Sequence, residues 1–149
     1  MKVEYTDIWV KRFAGNFVVI PVNEFVKKDG SAVMGKGLAL QASHMYPKLP
    51  FDLGERIKKY GSRVFVFLDY GIVTFPTKHH WSEKADIGLI RTSAIQLTVL
   101  VDAMGLSRIY IPMVGCGNGK LKWSEVRKVV KPIFYDDRYI IVKQIGGEK

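Results

Sequence analysis

The sequence has a single cysteine and no long uninterrupted apolar run. That residue, Cys116, excludes an internal disulfide and any zinc site built from several cysteines. No apolar run approaches the roughly 20 residues that a membrane-spanning helix needs. The first residues, MKVEYTDIWVKRF, mix charged with apolar side chains, unlike a signal peptide. We therefore expect a cytoplasmic monomer that has no membrane partner.

Acidic residues are also scarce. Asp and Glu number 14 against 23 Lys and Arg, which gives a formal net charge of +9. Such an excess favours a polyanionic partner, either a nucleic acid or a phosphate-rich ligand; the alternative is a charge that only keeps the protein soluble. The basic residues are spread along the chain and form no tail or arm. At 149 residues and 48% hydrophobic composition, the chain is predicted to form one domain, 1–149.

Strand and helix patterns alternate along the chain, which predicts an α/β domain with helices on both sides of a mixed, mostly parallel sheet. NFVVIPVN (16–23) is nearly continuously apolar, as in a strand buried on both faces. Pro132 is expected to kink or end the last helix early. The predicted strands are 3–6, 16–23, two within 63–76 joined by a turn at 69–71, 107–114 and 138–145; the predicted helices are one ending at Pro47, 52–61, about 86–105 and 123–134.

The stretch DGSAVMGKGLALQ (29–41) nearly matches a phosphate-binding P-loop. Gly30, Gly35 and Lys36 fit the pattern, but Gly37 stands where a Ser or Thr would bind magnesium. The P-loop interpretation is therefore weak. Glycines still let a ligand approach the backbone closely, and the helix that follows offers free amide groups to an anion. The alternative is that these glycines only turn the chain.

A second glycine loop, PMVGCGNGKLKW (112–123), also follows a strand and precedes a helix. Gly115, Gly117 and Gly119 alternate, and Asn118 tolerates a left-handed backbone. In α/β folds, ligands collect where loops leave the carboxyl ends of strands. The two loops are thus predicted to hold the two phosphates of a pyrophosphate from opposite sides. A Rossmann dinucleotide site fits less well, because the first loop is not G-x-G-x-x-G.

Four motifs in order resemble the macro domain family. They are a strand ending in Asn23, MGKGLA (34–39), PTKHHW (76–81) and GCGNGKLKW (115–123). Together they span essentially the whole chain. The resemblance is closest to the ADP-ribosyl hydrolase branch that includes the bacterial DNA ADP-ribosyl glycohydrolase antitoxins and the terminal ADP-ribose glycohydrolases. It implies a three-layer α/β/α fold, ADP-ribose or an ADP-ribosylated substrate as the ligand, DNA as a candidate partner, and no metal or cofactor.

The resemblance also implies roles for individual residues. Asp7 is expected to accept a hydrogen bond from the adenine amino group, with a backbone contact from Ile8. Asn23 is expected near the distal ribose, and Lys78 is expected to be catalytic together with it. The residues expected to line the diphosphate are Met34, Gly35, Lys36 and Gly37 in the first loop and Gly115, Cys116, Gly117, Asn118 and Gly119 in the second.

The chain departs from the family pattern in three places. Ile20 stands where the family usually has a polar residue, Thr6 replaces the usual Gly before Asp7, and EFVKKDGSAV (24–33) is longer than the usual link. Ile20 bears on contacts with the substrate, and the longer link bears on the ribose pocket. Relatives that act on protein carry an Asp where this chain has Gly119, which agrees better with the branch that acts on DNA.

Lys78 also has a physical case of its own. Positive charge close by in sequence, at His79, His80 and Lys84, is expected to lower its pKa. A neutral amine can attack the anomeric carbon of a ribose, whereas a charged one can stabilise the leaving group. The alternative is an ordinary surface lysine.

The function predicted from the sequence is therefore an ADP-ribosyl hydrolase that removes ADP-ribose from a nucleobase in DNA or from protein. Two alternatives stay open. One is a phosphatase acting on ADP-ribose 1″-phosphate. The other is a reader that binds ADP-ribose without turnover, which the apolar Ile20 favours.

Overall fold

A computed structural model describes residues 1–144, and 145–149 lie outside the described part. Its strands are β1 Lys2–Thr6, β2 Val18–Asn23, β3 Phe65–Phe67, β4 Ile72–Lys78, β5 Ile109–Pro112 and β6 Tyr139–Gln144; its helices are α1 Ile8–Phe13, α2 Gly37–Met45, α3 Leu49–Tyr60, α4 Ile87–Met104 and α5 Trp123–Val130. These six strands form one sheet in the order β1-β6-β5-β2-β4-β3, in which only the β3–β4 pair is antiparallel. The predicted mixed, mostly parallel sheet is confirmed.

The apolar run of β2 is buried on both faces, as its sequence predicts. Ile20 and Val22 pack in a core shared with α1, α2 and α3, whereas Val19 packs in a core shared with α4 and α5. Alternate residues of a strand point to opposite faces, so a strand between two helical layers must be apolar throughout. The result is three layers with β2 near the middle of the sheet.

Helix ends follow the capping residues in the sequence. Asp86 caps α4 by accepting hydrogen bonds from the amides of Gly88 and Leu89, and Gly105 ends it with φ 65°. α5 ends at Val130, two residues before Pro132, so the predicted early end is confirmed. α3 begins at Leu49, three residues earlier than predicted.

Two features of the first helical layer differ from the sequence predictions. α1 was not predicted, because its six residues are too few to show a helical period. In α2, helical spacing predicts one shared face for four residues: Leu38, Gln41, Ala42 and Met45. Leu38 and Ala42 do pack toward the core, but Gln41 and Met45 are exposed. Gln41 instead accepts a hydrogen bond from the Trp9 ring nitrogen at 2.7 Å.

α4 is the longest helix and carries most of one core. By length and composition alone, its 18 residues are long and apolar enough to cross a membrane, although Arg91 and Asp102 interrupt its apolar residues. Length and composition are weak evidence here, because the core helix of a folded domain passes the same test. Ile90, Ala94, Leu97 and Val101 form a stripe that is at most 1% exposed against the sheet.

Candidate functional site

The ends of two neighbouring strands bring Asn23 and Lys78 side by side. β2 and β4 are parallel, and a register shift after Val22 pairs Asn23 with Lys78. The end of β4 is held from behind by α4, since the Ser93 hydroxyl donates to the Pro76 carbonyl at 2.7 Å. The backbone that carries Lys78 is therefore fixed by the core.

The Lys78 side chain reaches the second glycine loop. Its ammonium donates to the Asn118 carbonyl at 3.1 Å. Partial burial lowers the pKa of Lys78, and the charges of Lys36 and Lys120 lower it further. The lowering of the Lys78 pKa agrees with the sequence prediction, but the groups that cause it are different from those predicted. The repelling charges come from the two glycine loops, and His79, His80 and Lys84 are not among them.

The two glycine loops meet above the sheet. A Cβ placed on Gly37 would lie 3.2 Å from the Asn118 side-chain nitrogen. Gly37 itself has a positive φ of 58°, which side chains rarely adopt. The loop contact and the backbone shape therefore both favour glycine at this position. The predicted convergence of the two loops is present in the structure.

The glycines of the two loops fall into two classes. A Cβ on Gly35 or Gly117 would meet no atom of residues 1–144 within 4 Å, so among the described residues both face open space that a ligand can enter. A Cβ on Gly115 would come within 2.7 Å of Ile90, and one on Gly119 within 2.5 Å of the Gly115 carbonyl. These two glycines are required by packing inside the loop, whatever the loop binds.

Free backbone amides line the meeting point. Within residues 1–144, no protein acceptor is found for the amides of Gly117 and Asn118, and α2 begins without a side-chain cap at Lys36. Such amides suit an anion. The Cys116 amide, by contrast, donates to the Met113 carbonyl at 3.3 Å, and the Met34 side chain is buried in the core. Ligand contacts by Cys116 and Met34 stay predictions.

Cys116 has the properties of a filler rather than of a nucleophile. It is half-buried, and its thiol donates weakly to the Val114 carbonyl at 3.5 Å. Burial, with a smaller contribution from Glu125, raises the pKa of Cys116 to about 11. A thiol with that pKa is almost entirely protonated near neutral pH.

The Asn23 side chain braces the long link that follows it. Its amide nitrogen donates to the Val33 carbonyl at 3.1 Å, and its oxygen accepts from the Phe25 amide at 2.8 Å. The link 24–33 folds back on itself through a bridge between Val26 and Ala32. These contacts give Asn23 a structural role, and its catalytic role stays a prediction.

The link is tied to the strand carrying Lys78 through His79. One ring nitrogen of His79 lies 2.7 Å from Glu24 in the link, and the other lies 2.7 Å from Asp86 at the start of α4. The Asp86 and Glu24 carboxylates accept hydrogen bonds from the protonated ring, and this raises the pKa of His79. In the described part of the chain, no group of three or more His, Cys, Asp or Glu side chains is placed to hold a metal ion.

We expect the His79 ring to titrate above its ordinary pKa of 6.5. Because the raised pKa belongs to the folded state, the stabilising contribution is fully present below pH 6.5 and is lost as pH rises through the folded pKa. The NMR chemical shift of the ring, followed against pH, measures the midpoint. Glu24→Gln should lower it, whereas Glu83→Gln, at a nearby exposed carboxylate, should not. A midpoint at or below 6.5 would contradict the bridge.

Asp7 and Ile8 lie at the opposite end of the carboxyl edge of the sheet. One carboxylate oxygen of Asp7 accepts from the Trp9 amide at 2.9 Å and so caps α1. The same oxygen accepts from the Gln144 side-chain nitrogen at 2.8 Å, and the Ile8 amide donates to the Gln144 side-chain oxygen at 3.2 Å. Sequence reasoning missed Gln144. The β1–β6 register, which pairs Thr6 with Gln144, is what places it here.

The family usually has a polar residue at the position of Ile20. In this structure Ile20 is 0% exposed and packs in the core that also contains Met34 and Ala39. Its side chain therefore has no exposed surface with which to contact a ligand. The reader without turnover, which Ile20 favours, stays an alternative.

Three comparisons place the chain beside known proteins. No family model matches it. It is 34% identical over 131 residues to the DNA ADP-ribosyl glycohydrolase of Mycobacterium tuberculosis and 30% identical over 128 residues to that of Thermus aquaticus. Each match covers 78% of this chain but only 37% and 35% of those relatives, so the chain spans little more than a third of their length. The macrodomain of Mycobacterium tuberculosis DarG has a similar structure, with a TM-score of 0.73, 28% identity, and coverage of 85% of this chain and 88% of that one.

Proposed function

The chain belongs to the macro domain family, in the branch of the DNA ADP-ribosyl glycohydrolases, and from that membership we propose that it removes ADP-ribose from a nucleobase in DNA. The observation that carries the proposal is the position of Lys78. Its ammonium lies where the two glycine loops meet, and its pKa is lowered by burial and by two further lysines. A lowered pKa raises the neutral fraction of the Lys78 amine, which lies beside an anion-binding cradle.

The cradle is suited to a diphosphate. Lys36 and Lys120 are close enough to Lys78 to lower its pKa, and the second loop meets the start of α2 where Asn118 lies beside Gly37. Cations and helix-start amides together favour a doubly charged anion without any metal ion. With the diphosphate between the loops, one ribose extends toward Asn23 and Lys78, and the adenosine extends toward Asp7 and Ile8.

The bond to be cleaved joins C1″ of the distal ribose to its acceptor. The neutral amine of Lys78 attacks C1″, the bond to the acceptor breaks, and the electron pair leaves with the acceptor nitrogen, which takes a proton. Water then releases ADP-ribose from the lysine. A lowered pKa favours this nucleophilic role over a purely electrostatic one, because it raises the neutral fraction of the amine near neutral pH.

The surface next to the second loop supports a nucleic-acid substrate. This surface carries four exposed basic side chains, Lys120, Lys122, Arg127 and Lys128. Within the described residues, none of the four forms a salt bridge with a carboxylate. Unneutralised cations beside a catalytic lysine attract a phosphate backbone. The formal charge of +9 acts in the same direction.

A substrate panel tests the proposed function. We expect turnover of an ADP-ribosylated oligonucleotide, and much slower turnover of mono-ADP-ribosylated protein and of ADP-ribose 1″-phosphate, all followed by release of ADP-ribose or phosphate. Rising salt should slow the oligonucleotide reaction most, because only that substrate releases counterions on binding. Binding of ADP-ribose with no turnover of any substrate would make the protein a reader instead.

A further inference from the structure

We infer that Gln144 is an internal competitor for the nucleobase, holding the Asp7–Ile8 subsite closed until an adenine displaces it. The inference rests on the proposed function, since it needs an adenine nucleotide as the ligand. It goes further by assigning a specificity-determining residue at the end of β6.

The carboxamide of Gln144 makes two hydrogen bonds of opposite sense at this subsite. Its nitrogen donates to the Asp7 carboxylate at 2.8 Å, and its oxygen accepts from the Ile8 amide at 3.2 Å. Adenine presents the same arrangement, with its 6-amino donor next to the N1 acceptor. Gln144 and an adenine edge are thus chemically equivalent partners for Asp7 and Ile8.

The Ile8 amide makes the competition exclusive. Asp7 has a second carboxylate oxygen, so its acceptor capacity alone would allow the base and the glutamine to bind together. The amide has one hydrogen, however, and Gln144 already accepts it. A base that bonds to Ile8 through a ring nitrogen must therefore displace the glutamine oxygen.

Gln144 is placed to move without disturbing the core. The inward burial of β6 ends with Val142, and Gln144 is exposed. Its side chain can therefore swing into solvent while the strand stays paired with β1. A site that is closed most of the time binds with an apparent affinity reduced by the fraction that is open.

The experiment is calorimetric titration of ADP-ribose into wild type, Gln144→Ala and Gln41→Ala. We expect Gln144→Ala to bind several times more tightly, by about tenfold if the subsite is open for about a tenth of the time. Gln41→Ala is the matched control. It removes a glutamine that bonds to α1 through Trp9 and leaves Asp7 and Ile8 untouched, so its affinity should equal that of wild type.

A second ligand tests whether the tighter binding of Gln144→Ala arises from contacts with the base. The hypoxanthine analogue of ADP-ribose presents an oxygen acceptor and an N1–H donor, which is the reverse of adenine. Its affinity should be the same for wild type and Gln144→Ala. In wild type, the side-chain amide signals of Gln144 should shift in NMR spectra on addition of ADP-ribose and stay fixed with ribose 5-phosphate.

The possible failures are distinguishable. If wild type binds ADP-ribose but Gln144→Ala binds it equally or more weakly, the competitor role is overturned and the proposed function stands. If neither protein binds ADP-ribose, the proposed function fails, and the inference fails with it. Thermal unfolding of each variant shows whether a weaker affinity reflects a damaged fold.

Discussion

Lys78→Ala is expected to reduce the turnover of ADP-ribosylated DNA at least about a thousandfold, as removal of a single nucleophile does in other enzymes. The ammonium group lies at the meeting point of the loops and pairs with no carboxylate among residues 1–144, so its removal deletes the reacting atom and leaves the packing intact. Binding of free ADP-ribose should change by much less than turnover. Single-turnover assays of release, with calorimetry for binding, separate the two effects.

Two further variants sharpen the test of Lys78. Lys78→Arg keeps the charge but has no neutral form near pH 7, so a nucleophilic role predicts that it is as inactive as the alanine variant. Substantial activity of Lys78→Arg would instead show that charge alone is needed. Lys84→Ala removes an exposed lysine of the same segment and should behave as wild type. Full activity of Lys78→Ala would contradict the proposed mechanism.

Gly54→Ala is expected to destabilise the protein by about 1–3 kcal/mol, the usual cost of forcing an extra methyl into a packed contact. Gly54 lies inside α3, where alanine is ordinarily better than glycine by about 1 kcal/mol. Here the new methyl would overlap the Gly30 carbonyl oxygen and lie 3.1 Å from the Ala32 nitrogen. Both residues belong to the link 24–33, which lies directly against the helix.

Denaturant unfolding measures the change in the free energy of unfolding caused by Gly54→Ala. The sign of that change shows whether the contact with the link outweighs the better helix propensity of alanine. Glu55→Ala is the matched control, at an exposed position one residue along the same helix. Its stability should stay within about 0.5 kcal/mol of wild type. If Gly54→Ala proved more stable than wild type, helix propensity would outweigh the contact, and the link would not be seated on α3 as described. Asn23 contacts the same link, so the variant should also weaken ligand binding.

The features that the sequence predicted well are those set by local pattern. The continuous apolar run of β2, the turn before β4 and the Gly105 end of α4 each follow from residues close together in the chain. The strand-to-helix position of both glycine loops also placed them at one edge of the sheet. The last predicted strand, 138–145, corresponds to β6, and its final residue lies outside the described residues.

The features that the sequence did not predict are set by distant residues that meet in space. The lysines that lower the pKa of Lys78 are Lys36 and Lys120, each 42 positions away in the sequence. The prediction from residues close to Lys78 in the sequence therefore named the wrong charges. Gln144 shares a subsite with Asp7 only because the register of β1 and β6 brings them together. The residue pattern of a single strand carries no information about which strand lies beside it.

The arrangement of the sheet has a consequence for the order in which the protein is assembled during synthesis. Among the described strands β1 is synthesised before the other five, yet within residues 1–144 it pairs only with β6, which is synthesised after them. Such distant pairing closes late, because the loop entropy must be overcome before the contact forms. A nascent chain that has formed β2, β4 and β5 can already present both glycine loops, whereas β1 pairs only after β6 has been synthesised.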